Sequence, residues 1–457
     1  MTALKKNLMK TAIVVGSGLA GILSAILLKR KFNEVYLIEK ESELGGLLKS
    51  YRNGDGIEFD YGTHFLRDTG NRELDTLLFG QNLSDNWLVL DFLKAGNFFG
   101  GQLNEHSPFI DSSCLPEEIY QKGMMELLGL GFPKENYENL EEQLRDSFGY
   151  ILTERIFQPA LQKFFRHSLG EIAPNANHLF IPSRLLGFNP ETTRELKKSA
   201  VFDGKLGFHS YQEGLSSSKN YYPKYRGIGL WIEELTEKLE QLGVKIIAGQ
   251  SVSEILYNNY INSVVLEDGT RFSCDQLIWT VPVFLFNKAC KFTSPAPSGP
   301  PTRLISGLHH FVLDQPFLTD LYYFRCYDPG LITFRVTLYA NVRKSDTSLN
   351  SQYPLTLEVL SQQVQDLKTD SQTVFEELKK MGVISTISKV LFQHSEIVQG
   401  GFPVPTDQFI QNSKSQLEFA KTHFSNVLFL GKSTGSSWFM HEVLLESYSA
   451  IMELLDS

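Results

Sequence analysis

An α/β fold is predicted from three patterns in this chain of 457 residues. A strand–helix–strand run spans Lys10 to Gly46 near the amino end. Apolar residues recur at helical spacing from Leu140 to Leu152. Between Leu304 and Leu360, four segments alternate apolar and polar residues as strands do. Together these imply a parallel sheet with crossover helices, a helical insert and an antiparallel sheet.

The first run carries the most chemistry. An apolar strand, Ala12 to Val15, leads into Gly16-Ser17-Gly18-Leu19-Ala20-Gly21; an apolar helix follows to about Leu28, and a second strand, Glu34 to Ile38, ends at Glu39. Gly16 permits the tight turn, Gly18 lets backbone approach a pyrophosphate, and Gly21 lets helix and strand pack closely. The free N–H groups at the helix start attract phosphates. Glu39 is placed to accept hydrogen bonds from a ribose diol and its charge repels a 2′-phosphate, so an ADP-bearing cofactor other than NADP is expected. A membrane or signal segment is the competing reading, since Lys5, Lys6 and Lys10 precede roughly 18 mostly apolar residues. The glycines and serines within that span weaken it.

After Glu39 and Lys40 come Leu44-Gly45-Gly46-Leu47-Leu48-Lys49-Ser50, a turn at Asn53 to Gly56, and Ile57-Glu58-Phe59-Asp60-Tyr61-Gly62-Thr63-His64-Phe65. Here the chain resembles the flavoprotein superfamily of amine oxidases, protoporphyrinogen oxidase, phytoene desaturases and UDP-galactopyranose mutase. The resemblance implies FAD, with Gly45, Gly46 and Leu47 beside its phosphates and Tyr61, Gly62, Thr63 and His64 against the isoalloxazine. Leu47 stands where the family usually has Arg or Asn, which removes one polar contact. Tyr222 to Gly229, the amphipathic helix of Trp231, Leu235, Leu239 and Leu242, and the strands Val244 to Ile247 and Ser251 to Ile255 look like the family's return to the cofactor. Val252 is then the adenine contact. Gln276 to Pro282 is similar to the family's strand ending in Thr-x-Pro.

Near the carboxyl end, Val427-Leu428-Phe429-Leu430-Gly431 is a buried-type strand stopping at glycine, and Met440-His441-Glu442-Val443 opens a helix. The resemblance puts Gly431 near the ribityl-pyrophosphate, followed by Lys432 where the family has Arg or an acid. It puts Met440 and Val443 at the flavin's pyrimidine edge. A helix start there stabilises the negative charge that reduction places on the ring. Gly431-Lys432-Ser433-Thr434-Gly435 also matches a nucleophile elbow. Only His441 comes after it, which leaves no room for the acid and histidine loops of a hydrolase.

The implied fold is a Rossmann-like FAD-binding domain (glutathione reductase type 2) with a helical insert and an antiparallel-sheet substrate domain. The FAD-binding domain is expected from residues 1–90, 215–290 and 395–457, the mainly helical insert from 91–214 and the substrate domain from 291–394. In the insert, Asn139 caps a helix with Glu142 reaching back, and Gly170, Pro174 and Pro182 break the remainder into shorter helices. Asn139 to Gln143, Gly149 and Ile172 to Arg184 are similar to the helical domain of UDP-galactopyranose mutases. Phe292 to Pro301 is a linker. Beyond it, Leu304 to Leu313, Leu321 to Tyr327, Leu331 to Tyr339 and Leu355 to Leu360 are strands of a sheet roofing the flavin. Tyr322, Tyr323, Arg335 and Tyr339 are candidates to line a substrate pocket, with Arg335 holding phosphate or carboxylate through two parallel bonds. Solvent-facing polar residues are the plain alternative. In Thr333-Phe334-Arg335-Val336 the apolar neighbours should face the core. His64 and Arg335 are expected to meet over the flavin and form the catalytic pair, although a packed His64 bonded to backbone fits the sequence equally.

A net charge of −9 without a basic run argues against nucleic acid and anionic membrane as partners. Cys114, Cys274, Cys290 and Cys326 form no CxxC pair, so neither a disulfide frame nor zinc is expected, and a reducing cytoplasm suits them. His309 and His310 are adjacent, so on a strand they face opposite sides and cannot share a metal. The dinucleotide fingerprint occurs once; Gly129-Leu130-Gly131 is broken by Pro133, which disfavours a second domain for NAD(P)H.

These observations predict an FAD-dependent oxidoreductase acting on a small polar molecule such as a nucleotide-linked sugar or an amine. Redox-neutral isomerisation of a sugar nucleotide, as in UDP-galactopyranose mutase, is the alternative. Phe59, Arg67 and Asp68 stand where the mutase pattern has imidazole or hydroxyl residues, and Ser433 to Phe439 lacks its tyrosines. A flavin-free binding protein like GDP-dissociation inhibitors is the alternative of another class. Oligomeric state is left open.

Overall fold

The structure is a computed structural model. It describes residues 10–80, 86–214, 218–292, 302–344, 346–367, 370–398, 403–435 and 439–456. Lys5 and Lys6, the linker from residue 293 onward and residues 436–438 of the last loop lie outside the described residues, as do the side chains of Lys432 and Ser433.

Two apolar strands, Thr11–Val15 and Gln276–Trp279, buried almost throughout, make the centre. A five-stranded parallel sheet runs in the order Lys245–Ile247, Glu34–Ile38, Thr11–Val15, Gln276–Trp279, Val427–Phe429. The chain therefore returns to this sheet from three distant stretches. The helix Leu19–Leu28 is buried along its whole length, against the C-terminal helix Met440–Asp456 and the helix Gly229–Gln241. An all-round apolar helix needs such enclosure on every side. Among the described residues no helix is long and apolar enough to cross a membrane.

The second sheet has seven strands in the order Val390–Val398, Ile305–Leu313, Tyr353–Ser361, Thr333–Leu338, Tyr323–Cys326, Ala95–Phe99, Gln102–Asn104. All pair antiparallel except Tyr323–Cys326 with Ala95–Phe99. The sheet thus recruits strands from the stretch expected to be the helical insert, and its outer strand crosses position 394. Its two faces differ in chemistry. Phe311, Leu313, Phe324, Val336, Leu355 and Leu357 pack on the helix Ser371–Lys380 through Val374, Phe375 and Leu378. The opposite face is largely polar, with Thr337, Thr356, Glu358 and His310 on it.

Local departures from expectation have local causes. The strand expected to reach Tyr339 stops at Leu338, and Tyr339–Val342 form a single helical turn. The Tyr339 hydroxyl is drawn to Asp60 N and Thr356 Oγ1, at 2.9 Å each, and leaves the strand path. Asn139 does cap its helix, accepting from Glu142 N at 2.9 Å, but the Glu142 carboxylate reaches Glu138 N instead of the capping residue. That helix is kinked at Gly149, whose φ is 84°, while the Glu126 carboxylate takes the exposed amides of Tyr150 and Ile151. Phe334 and Val336 are both buried as expected, yet in different cores. A bulge between Thr333 and Arg335 turns Phe334 towards Phe164 and Phe180 of the helical insert.

Candidate active site

At the N-terminus of the glycine helix, three glycines have three different environments. Gly16 has φ 95° and donates its amide to Ile38 O at 2.8 Å. A Cβ on Gly21 would lie 1.8 Å from Gly16 O, so only glycine lets the helix rest on the turn. A Cβ on Gly18 would meet nothing within 4 Å. That open approach to helix amides is what a pyrophosphate requires. Leu19 and Ala20 are buried behind it.

Glu39 is 9% exposed at the end of the second strand. Its Oε2 accepts from Ser17 N and Ser17 Oγ at 2.8 and 2.7 Å, and its Oε1 accepts from Glu41 N at 3.0 Å. Gly45 donates to Ser17 O at 2.9 Å and carries φ 95°, followed by Gly46 at 63°. A Cβ on Gly45 would fall 2.7 Å from Ile232, so the turn is wedged against the Gly229–Gln241 helix. Leu47 is half-buried, Lys40 is exposed and pairs with Glu41, and Val252 opens the strand Val252–Tyr257. A Cβ on Gly431, whose φ is 71°, would lie 3.0 Å from Ala20 Cβ and 4.0 Å from Val443. The third sequence anchor therefore converges on the first, with Met440 opening the last helix beside them. Turn, acid, paired glycines and returning helix converge here, and their donors and acceptor suit an ADP-bearing cofactor.

The second sheet presents two cross-strand rows to the Tyr51–His64 stretch. One row is Tyr323, Thr337, Thr356, His310 and His394; the other is Arg325, Arg335, Glu358, Leu308 and Glu396. Tyr61 Oη donates to Glu396 Oε2 at 2.7 Å, Thr63 bonds Thr337, and Tyr51 stacks on His310 and His394. His309 faces the other side and meets Ser395. His64 and Arg335 are brought together at Gly62, where a Cβ would lie 3.1 Å from Arg335 Nη2 and 3.5 Å from His64 Nε2. His64 Nε2 also lies 3.1 Å from Tyr61 O. Arg335 spends Nε and Nη2 on the two oxygens of Glu358, at 2.6 and 2.8 Å. Tyr322 and Tyr323 pack on Phe65, while Tyr339 is fully buried.

Protons in this wall have one consistent direction. Asp60 N–H donates to Tyr339, Tyr339 to Thr356, and Thr356 to His310 Nδ1 at 2.8 Å; His310 Nε2 then donates to Glu396 Oε1 at 3.1 Å. Burial lowers the His310 imidazole and keeps it neutral, against the pull of Glu396. Burial would raise the Glu396 carboxyl, but bonds from His310 and Tyr61 outweigh it and hold it below its ordinary value. Tyr61 is pushed up by burial and by that carboxylate. Sequence reasoning missed Arg325, His310, Glu358 and Glu396 as site residues. Their signal was present as polar residues at alternate positions of the strands, such as Thr356 and Glu358 between Leu355, Leu357 and Val359.

A family model of flavin-containing amine oxidoreductases matches residues 19–317. A 1-hydroxycarotenoid 3,4-desaturase of Flavobacterium sp. (strain P99-3) is 26% identical over 291 residues, which is 60% of this chain and 57% of the desaturase. The chain thus matches little more than half the length of that relative. An all-trans-retinol 13,14-reductase of Danio rerio is 34% identical over 62 residues, 14% of this chain and 10% of the reductase. Among solved structures, reduced UDP-galactopyranose mutase superposes with a TM-score of 0.77 at 16% identity, covering 98% of this chain and 96% of the mutase. A putative protoporphyrinogen oxidase from Exiguobacterium sp. 255-15 gives 0.70 at 16% identity, covering 98% of this chain and 99% of that one. These two likenesses carry the fold. With the family model matching well over half of the chain and the fold shared along its length, the chain belongs to the flavin-containing amine oxidoreductase family and is an enzyme whose cofactor is FAD.

Proposed function

We propose that the chain passes a hydride or electrons between FAD and a small polar substrate held against the polar face of the second sheet. FAD, when bound, supplies the redox chemistry. The turn from Gly16 to Gly21 would hold its pyrophosphate and Glu39 its ribose, with Gly45, Gly46, Leu47, Lys40 and Val252 around the ADP half. Tyr61, Gly62, Thr63 and His64 would border the ring, and Gly431, Lys432, Met440 and Val443 would close its far side. His64 would hold or move a proton at Nε2, and Tyr322 and Tyr323 would border the substrate.

The observation that carries this reading is the wall itself. Arg325, Arg335, Glu358, His310 and Glu396 all lie on the face turned to Tyr61–His64. An apolar polyene, such as the carotenoid named for the desaturase relative, would cover the part-exposed Arg335 and Glu396 without bonding to them. A polar substrate would bond to them. Four free cysteines, three of them buried, suit a reducing compartment.

The experiment is anaerobic flavin spectroscopy of purified protein against amines and sugar nucleotides. The protein is expected to be yellow, to release FAD on denaturation, and to lose oxidised-flavin absorbance when a substrate is added. Product formed only after chemical reduction, with no oxidant consumed per turnover, would instead establish a redox-neutral isomerase.

A further inference from the structure

Two arginines stand directly opposite each other on the substrate-facing side of the second sheet. Arg325 on Tyr323–Cys326 pairs in register with Arg335 on Thr333–Leu338, and Arg335 with Glu358 on the next strand. Like charges opposed across strands repel, and the repulsion grows where water is scarce. One carboxylate serves both cations, and Arg335 takes both of its oxygens. Among the described residues Arg325 has no ion pair. Its Nε is sealed from solvent and has no acceptor, with Tyr327 beside the group and Tyr323 two residues back on the same face. Asn97 on the neighbouring strand turns its amide nitrogen to Ser107 O and Phe109 O, and Arg325 Nε finds no acceptor there.

A buried donor without an acceptor and a like-charge pair that shares one carboxylate both cost stability. Local violations of this kind cluster at functional sites. The missing partner has definite chemistry. On these three adjacent strands two guanidinium groups and the Glu358 carboxylate leave a local single positive charge, Glu396 lying two strands further on and engaged by Tyr61 and His310. A monoanionic carboxylate cancels that charge and a phosphate dianion exceeds it. The side-on edge of Arg325, Nε with one Nη, matches the two oxygens of a carboxylate. Its position is one strand away from Arg335, which touches the Gly62–His64 turn, so the group it holds belongs to a short molecule.

We propose that Arg325 is the substrate anchor of this site and that the substrate carries a carboxylate, a reading that rests on the FAD-dependent function above. Arg335 is the positioning residue that fixes Glu358 and, through it, the charge balance.

The test uses FAD-loaded protein and the probes benzoate, phenyl phosphate and benzamide, read by calorimetry and by perturbation of the flavin spectrum. Benzoate is expected to bind saturably and more tightly than phenyl phosphate, with benzamide at least tenfold weaker than benzoate. Arg325→Gln should weaken benzoate by at least about a hundredfold, the equivalent of two charge-assisted bonds, with FAD content unchanged. Arg325→Lys keeps the charge but loses the planar fork, and about a tenfold loss is expected. Equal binding of benzamide, phenyl phosphate binding as tightly as benzoate, or an unchanged benzoate affinity in Arg325→Gln would overturn the assignment. So would the absence of benzoate binding to yellow wild-type protein, a measurement that depends on no variant. Protein that takes up no FAD would instead strike the underlying functional reading.

Discussion

Glu39 illustrates how much a single side chain has already committed before a cofactor arrives. A carboxylate offers about four lone-pair sites, and three donors from Ser17 and Glu41 occupy it. The bonds fix the carboxylate at the strand tip and leave room for about one more from a ribose hydroxyl. Glu39→Ala should therefore weaken FAD by roughly 1.5–3 kcal/mol, the worth of one bond to a charged group. It should also destabilise the apoprotein by roughly 1–3 kcal/mol, since it strands the amides of Ser17 and Glu41. Titrating FAD into apoprotein and melting the apoprotein read the two effects separately; unchanged affinity would remove Glu39 from the cofactor site. Glu39 was visible in the sequence because its role depends on a local spacing within one βαβ unit. The division of roles between Arg325 and Arg335 was not. Which of two arginines receives the carboxylate is decided by strand register and by the bulge at Phe334, and neither leaves a mark on the local pattern.

At the scale of the element, two glycines in the same turn should fail in different ways. Gly21→Ala puts a methyl group 1.8 Å from Gly16 O, so the helix Leu19–Leu28 must move away from the turn that starts it. A large loss of apoprotein stability is expected, at or beyond the roughly 1–3 kcal/mol typical of overpacking. Gly18→Ala meets nothing and its φ of −67° is ordinary, so the apoprotein should melt within about 1 kcal/mol of wild type, the usual cost of a harmless surface change. FAD affinity should fall there, because the methyl occupies the phosphate's approach. Equal melting of both variants would refute the division of labour. The helix from Leu19 to Leu28 was legible because glycine, apolar run and acid succeed one another along the chain. The stop at Leu338 and the kink at Gly149 were not, since Asp60 and Glu126 impose them from 279 and 24 residues away.

The whole molecule is held together at Asp60, a fully buried carboxyl. It accepts from Tyr222 Oη at 2.7 Å, Ile228 N at 2.8 Å and Ser50 Oγ at 2.8 Å, while its own amide donates to Tyr339. One residue thereby joins the amino-terminal hairpin, the start of the Gly229–Gln241 helix and the helical turn just after the second sheet's strand Thr333–Leu338. Burial pushes its pKa from 3.8 up to about 6, against the hydrogen bonds from Tyr222, Ile228 and Ser50. Because the folded group holds its proton to higher pH than the unfolded one, its contribution is full below 3.8 and is lost as pH rises through about 6. The loss is on the order of 3 kcal/mol, from 1.36 kcal/mol per pKa unit. Burial of His309, lowered from 6.5 to about 4, acts in the opposite sense and gains stability as pH rises through that interval. Wild-type stability alone therefore mixes the two. Asp60→Asn retains an acceptor for Ile228 and Ser50 and a donor for Tyr222, and it no longer titrates. The stability of wild type minus that of Asp60→Asn, from denaturant unfolding of the apoprotein, should fall between about pH 4 and pH 6 and run flat above it. A difference that is level throughout, or that rises with pH, would show that Asp60 is ionised in the fold from the start and that burial does not govern this junction.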